Sequence, residues 1–143
     1  MAVELDTGAV KWRKEVPGGV LSSVAVKAGL AIFTATDGKV RAWDAFTGQE
    51  KWSYDAKAPF FAGPAVAPNM VYVADLKGVV HALNLMDGKR EWVLDLSTEV
   101  APQAPRMVYG SPIVHRSRLY LATCNLGERA TSNQNVVVCI GGR

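Results

Sequence analysis

One motif returns along this chain at a fixed step of 40 residues, the distance from Ala42 to Ala82. Each full copy starts at alanine, has an acidic or amide residue two positions later, then a glycine, and ends in tryptophan. A period of about 40 residues, filled with short strands, is typical of a β-propeller in which each repeat forms one blade. The members of the three copies are Ala2, Gly8 and Trp12; Ala42, Asp44, Gly48 and Trp52; and Ala82, Asn84, Gly88 and Trp92.

The residues between the motifs predict an all-β fold: propeller blades of four antiparallel strands, about three blades in all. Short alternating runs are separated by turns such as Asp37-Gly38, which tolerates the positive φ of a hairpin. We predict a single segment over 1–143, with repeats near 17–55, 56–95 and 96–143. The last repeat lacks its fourth strand, and Ala9–Val16 is predicted as an isolated fourth strand that completes a blade. The other predicted strands are Leu21–Val26, Leu30–Ala35, Lys39–Asp44 and Glu50–Asp55; Ala62–Ala67, Met70–Asp75, Val79–Leu85 and Lys89–Asp95; and Tyr109–His115, Leu119–Cys124 and Val136–Ile140.

The third repeat carries two insertions, one within Ser97 to Tyr109 and the other within Asn125 to Asn135. The first precedes a first strand and the second precedes a third strand, so both should emerge on one face of the ring. Long loops on one face of a repeat scaffold are where binding usually resides, although such loops can also merely cover a channel or an edge. The predicted partner-binding set on this face is Phe60, Phe61, Arg106, Met107, Tyr109, Glu128 and Arg129.

Composition and charge restrict the possible partners. The net charge is +3 and the basic residues are scattered, without a run of five like charges, which argues against nucleic-acid binding. We expect no membrane span, because no stretch of 18 apolar residues occurs, and residues 1–20 lack the apolar core of a signal peptide.

Few residues offer catalytic chemistry. His81 and His115 are the only histidines, and a lone histidine in a strand is more often a hydrogen-bonded core residue than a ligand. We expect no catalytic residues and no metal site. The two cysteines, Cys124 and Cys139, lack zinc-binding spacing. Repeat alignment places Cys139 opposite Leu121, which would direct the two thiols to opposite faces and leave both free.

The motif from Ala42 to Trp52 resembles the docking motif of pyrroloquinoline-quinone-type (PQQ-like) propeller repeats, and the resemblance covers essentially the whole chain. It implies that the tryptophans are structural and pack neighbouring blades together. One branch of the family contains quinoprotein dehydrogenases, which hold PQQ and Ca²⁺ on the axis. The other is the non-enzymatic, BamB-type outer-membrane assembly branch, which binds partner proteins in the periplasm.

The resemblance implies a non-catalytic scaffold or protein-binding module of the periplasm or cell envelope, without a cofactor. The alternative is a fragment of a PQQ-dependent dehydrogenase, with PQQ and calcium, and a sensor domain of a larger signalling protein is a third. Three blades cannot close a ring, since propellers have about 4–8 blades. We therefore expect either a homodimer that completes a six-bladed ring or a piece of a longer parent propeller.

Overall fold

The computed structural model describes residues 1–99, 107–124 and 135–141, and in them it is almost entirely β. The strands form four antiparallel sheets, and in each sheet the strands are adjacent in the order in which they follow along the chain. The predicted all-β propeller fold is therefore confirmed. Residues Arg106, Glu128 and Arg129 of the predicted partner-binding set lie outside the described residues.

The sheets comprise an N-terminal ribbon of two strands, a first and a second blade of four strands each, and a third blade of three. The ribbon contains β1 (Ala2–Val3) and β2 (Val10–Trp12); the first blade β3 (Ala25–Lys27), β4 (Leu30–Thr34), β5 (Lys39–Asp44) and β6 (Glu50–Asp55); the second blade β7 (Ala65–Val66), β8 (Met70–Ala74), β9 (Val79–Asn84) and β10 (Arg90–Asp95). A short helix, α1 (Leu96–Glu99), leads towards the third blade, which contains β11 (Ile113–His115), β12 (Arg118–Thr123) and β13 (Val136–Gly141).

The repeated motif produces the same cross-strand pair in three sheets. Ala2 lies opposite Trp12, Ala42 opposite Trp52, and Ala82 opposite Trp92. The small alanine leaves room on the sheet surface for the neighbouring indole. Each of these tryptophans therefore occupies the same place in its sheet and points to the blade that follows.

The hydrophobic core lies between the blades and not within any single sheet. One buried cluster joins Ile32 and Trp52 of the first blade to Val71 and Leu83 of the second. A second cluster joins Ala74 and Val80 of the second blade to residues of the third, including Leu119, Leu121 and Val138. A four-stranded sheet cannot bury both of its faces alone, so each blade depends on its neighbours.

Three local predictions differ from the structure. The innermost strands are shorter than predicted, and in the second and third blades each begins directly after a proline, Pro64 or Pro112, which has no backbone N–H to donate. The strand predicted over Ala9–Val16 covers only Val10–Trp12. It is not isolated, because it pairs with β1 at two positions. The helix α1 was not predicted, because a single turn of four residues is too short to show a helical periodicity in the sequence.

The predicted register of Cys139 was wrong by one residue. Cys139 lies opposite Tyr120, in the same register that pairs Ala42 with Ile32 in the first blade and Ala82 with Tyr72 in the second. Tyr120 and Cys124 are four positions apart, so the two thiols point to the same side of the sheet and not to opposite sides. Four residues of strand separate their positions by roughly 13 Å, beyond the reach of a disulfide, and both cysteines are free.

We expect thiol counting under denaturing, non-reducing conditions to find two free thiols per chain. The reason is the distance along the strand, which a disulfide could bridge only if the sheet rearranged. A Cys124→Ser variant should give one free thiol and unchanged thermal stability. Finding no free thiol in the unsubstituted protein would contradict the observed register of β12 and β13.

Candidate interaction surfaces

The contact that repeats between sheets is an indole ring seated on a glycine. Trp12 of the ribbon lies on Gly48 of the first blade, and a Cβ added to that glycine would be 2.7 Å from the ring. Trp52 of the first blade lies on Gly88 of the second, where the same distance is 2.5 Å. Any side chain at these glycines would therefore displace the indole. The φ angle of both glycines is +69°, which also disfavours other residues.

Each seated indole also donates a hydrogen bond into the next sheet. The Trp12 Nε1–H donates to the carbonyl of Ala45 at 3.1 Å, and the Trp52 Nε1–H donates to the carbonyl of Leu85 at 3.0 Å. These acceptors occupy equivalent positions, one repeat apart. The glycine surface and the carbonyl come from a single turn, which joins the third strand of a blade to its fourth.

The acidic or amide residue of the motif shapes that turn. The Asp44 carboxylate accepts hydrogen bonds from the backbone N–H groups of Phe46 at 3.0 Å and Thr47 at 2.9 Å. The Thr47 bond is the main reason that the pKa of the Asp44 carboxyl lies below its ordinary value. Asn84 performs the same task in the second blade, accepting from the Met86 N–H at 2.9 Å. The change from aspartate to asparagine therefore preserves the turn.

Two members of the motif, Trp92 and Gly8, lack this contact between indole and glycine within the described residues. Trp92 is 37% exposed, against 7% for Trp52. In the described part of the chain, no glycine lies beneath its ring and its indole N–H has no acceptor. Gly8 has the same φ of +69°, but a Cβ there would have nothing within 4 Å. The structure thus presents an exposed indole at one end and an open glycine turn at the other.

His81 lies within the interface between the first two blades. Its Nδ1 is 3.1 Å from the Tyr54 hydroxyl of the first blade, and its Nε2 is 3.1 Å from the Asp75 carboxylate. Asp75 is 2% exposed and also accepts the N–H of Val79. Both ring nitrogens of the histidine therefore have partners: Tyr54 links it to the first blade, and Asp75 holds it within the second. His115 is exposed at the end of β11.

Aromatic residues of the predicted partner-binding set do meet on the loop face. The rings of Phe61 and Tyr109 contact edge to face at 5.4 Å, and the Tyr109 hydroxyl donates to the Met107 sulfur at 3.7 Å. Met107 itself forms an isolated bridge with Cys124. Phe60, by contrast, is 1% exposed and belongs to the core, so it cannot contact a partner as the predicted partner-binding set requires.

A hydrogen bond near the pair fixes its position. The Gly63 N–H donates to the Ser111 hydroxyl at 2.8 Å, and these residues are two positions from Phe61 and Tyr109 respectively. A Cβ at Gly63 would be 2.9 Å from the Ser23 carbonyl oxygen, so the inner strands of all three blades converge closely there. The two aromatic residues lie beside this close packing and are themselves partly exposed.

The described residues contain neither a metal-ligand cluster nor a membrane-spanning helix. No group of three or more His, Cys, Asp or Glu side chains within 1–99, 107–124 and 135–141 is placed to hold a metal ion. No helix in those ranges has the length and apolar character needed to cross a membrane.

A family model described as outer membrane protein assembly factor BamB matches residues 1–136. No curated protein sequence matches the chain. Among solved structures, BamB from Moraxella catarrhalis is similar, with a TM-score of 0.69 and 24% identity over 83% of this chain and 35% of that one. At this identity, the similarity shows the fold.

Enzymes are also among the similar structures. A quinohemoprotein alcohol dehydrogenase from Pseudomonas putida HK5 matches with a TM-score of 0.65 and 24% identity, over 78% of this chain and 18% of the enzyme. The quinohemoprotein alcohol dehydrogenase from Comamonas testosteroni gives 0.63 and 25%, over 73% and 17%. The chain therefore spans about a third of the BamB structure and less than a fifth of either dehydrogenase.

Replacing Trp52 with alanine should lower the free energy of unfolding by about 3–5 kcal/mol, the usual cost of removing a buried aromatic side chain. Trp12 provides the matched comparison, since it makes the same contact but is only half-buried. Its replacement should cost less. Denaturant titration of both variants measures the difference, and equal, small losses would contradict the role of the indole in joining blades.

Proposed function

Because the chain belongs to the PQQ-like propeller family that is described as outer membrane protein assembly factor BamB, we propose that it is a non-catalytic scaffold that binds other proteins. The proposal places it in the periplasm or at the outer membrane and requires no cofactor. The structural observation that carries it is the pair formed by Phe61 and Tyr109. This pair is a partly exposed aromatic surface beside the hydrogen bond that joins Gly63 to Ser111.

Such a surface has the properties of a protein-binding site. Aromatic residues are enriched at the centres of interfaces, because they bury much area at little cost in conformational entropy. The proposed contact set is Phe61, Met107 and Tyr109, to which the sequence-based prediction adds Arg106, Glu128 and Arg129 of the two insertions. Insertions on one face of a repeat scaffold are a common origin of binding specificity.

The alternative, a fragment of a PQQ-dependent dehydrogenase, draws support from the structural similarity to two quinohemoprotein enzymes. Two observations favour the scaffold. The family model that matches describes an assembly factor. In addition, both nitrogens of the buried His81 already have protein partners, so this histidine is engaged in joining blades.

Self-association is part of the proposal. The sheets at the two ends of the described structure each leave an apolar face uncovered, as shown by Val26 at 68% exposed and Val137 at 77%. Exposed faces of this kind favour association. Either a second copy or further blades of a longer parent could cover them.

The aromatic pair gives a direct test of protein binding. We expect the immobilised chain to retain detergent-solubilised outer-membrane proteins, and a Phe61→Ser, Tyr109→Ser variant to retain at least severalfold less. A Phe46→Ser variant, altered at an exposed phenylalanine in another turn, is the matched control and should behave like the unsubstituted chain. Equal retention by all three proteins would place binding elsewhere. Circular dichroism must show that the variants remain folded.

Adding PQQ together with Ca²⁺ tests the enzymatic alternative. A scaffold should keep no quinone absorbance after desalting, because the proposed function assigns it no cofactor site. A known quinoprotein dehydrogenase, treated in parallel, is the positive control. Quinone retained in stoichiometric amount by this chain would favour the dehydrogenase fragment and overturn the scaffold.

A further inference from the structure

We propose that Met107 is a modification site: a peroxide oxidises its thioether to the sulfoxide, and the modified side chain weakens protein binding by the aromatic pair of Phe61 and Tyr109. This site rests on the proposed function, because it regulates the surface that the proposed function assigns to protein partners. The modified residue, the class of oxidant and the atom through which the change reaches the two rings go beyond that function.

The sulfur of Met107 is the atom at which this surface can be changed chemically. The Tyr109 hydroxyl donates a hydrogen bond to it at 3.7 Å. The ring of Tyr109 in turn contacts the ring of Phe61 edge to face, with 5.4 Å between the ring centroids. These side chains lie on the two connections that lead into the second and third blades. A change at the sulfur therefore reaches both members of the aromatic pair through Tyr109.

The backbone beside Met107 is held by hydrogen bonds that do not involve its side chain. The Met107 carbonyl accepts the Cys124 N–H at 2.9 Å, and the two residues form an antiparallel bridge. Further along the same connection, the Ser111 hydroxyl accepts the Gly63 N–H at 2.8 Å. The side chain of Met107 itself is partly exposed, so a small oxidant has access to it. Oxidation of the sulfur therefore changes the surface and leaves these backbone bonds intact.

The oxidation is a two-electron transfer from the sulfur to the peroxide. A lone pair of the sulfur attacks one peroxide oxygen, so that an S–O bond forms and the O–O bond breaks. With hydrogen peroxide, the departing hydroxide takes the proton carried by the transferred oxygen and leaves as water. The thioether is thereby oxidised and the peroxide is reduced. The product is methionine sulfoxide, which methionine sulfoxide reductases return to methionine.

Oxidation changes the polarity of the side chain that accepts the Tyr109 hydroxyl. A thioether is apolar and only a weak hydrogen-bond acceptor, whereas a sulfoxide is polar and chiral. The sulfoxide oxygen offers the Tyr109 hydroxyl an acceptor that projects beyond the sulfur, which re-aims the phenol ring relative to Phe61. A partner that buried Met107 would also have to dehydrate the sulfoxide, and burial of a polar group without a compensating hydrogen bond is unfavourable. Both effects lower the affinity for a partner.

Met107 is the methionine that the structure places against Tyr109. The chain also contains Met1, Met70 and Met86. Met86 is 64% exposed and should therefore oxidise readily, but it lies in the turn that follows β9. That turn joins a third strand to a fourth, whereas Tyr109 precedes a first strand, so the two residues lie on opposite faces of the antiparallel blades. Met86 thus provides a matched control, accessible to the oxidant and remote from the aromatic pair.

Treatment of the immobilised chain with hydrogen peroxide tests the regulation. The parent chain for this test carries Cys124→Ser and Cys139→Ala, because peroxides also oxidise thiols. After treatment, it should retain at least severalfold less detergent-solubilised outer-membrane protein, and methionine sulfoxide reductases should restore the retention. A Met107→Leu variant should retain the same amount before and after treatment, since leucine has no sulfur. A Met86→Leu variant should lose retention as the parent does.

Mass spectrometry of the same samples locates the sulfoxide. Complete oxidation of Met107 without a loss of retention would overturn the regulation. An equal loss in the Met107→Leu variant would overturn it as well, because another residue would then be responsible. If the untreated parent retains no outer-membrane protein, the proposed function fails instead, and the connection between the sulfur and the aromatic pair is decided by two measurements that need no partner.

Ring signals and oxidation rates supply these two measurements. In NMR spectra, the ring signals of Phe61 and Tyr109 should shift when the parent is oxidised and stay unchanged in the Met107→Leu variant. A Tyr109→Phe substitution removes the hydroxyl that occupies a lone pair of the sulfur. Met107 should then oxidise about twofold faster or more, the ratio expected from the low end of the net strength of a hydrogen bond, while the rate at Met86 stays the same. Unshifted ring signals, or an unchanged rate at Met107, would overturn the connection.

Discussion

The seating of a tryptophan ring on a glycine of the next blade is the interaction on which this structure depends. A single blade exposes two apolar faces and has no interior, so its stability comes from its neighbours. The indole fixes where the neighbour lies, because its ring requires the bare Gly88 surface and its N–H requires the Leu85 carbonyl. Both requirements are met only if the backbone conformation of the turn places Gly88 and the Leu85 carbonyl beside the indole. This explains why the motif combines a turn-forming residue, a glycine and a tryptophan at fixed spacing.

Much of this arrangement could be predicted from the sequence, because in a repeat of 40 residues each position has the same structural place as its equivalents in the other copies. The blades, the strands and the pairing of alanine with tryptophan follow from that alignment. The contact of Trp12 with Gly48 could not be predicted in this way. The repeat identifies both residues as members of the motif, but it does not indicate that the tryptophan of one copy contacts the glycine of the next. Only the packing of the sheets decides that.

The errors of prediction have a common physical origin. The position of Phe60 in a connection predicts a surface residue, yet its side chain belongs to the core between two blades. The link between Tyr54 and His81 crosses two blades, and nothing local to either residue indicates it. In each case the deciding contact is distant in sequence.

One position distinguishes the blades from each other. Arg41, His81 and Val138 are equivalent, and each projects towards the preceding sheet. His81 brings a hydrogen-bonded polar group into the interface between the first two blades, whereas Val138 leaves the next interface apolar. Arg41 is 5% exposed and its guanidinium is paired with Asp37 at 2.5 Å within its own blade. A sheet that packed against the first blade would therefore meet a charge already neutralised. Because a buried unpaired charge is what makes such an interface costly, this face of the first blade can accept another blade without that penalty.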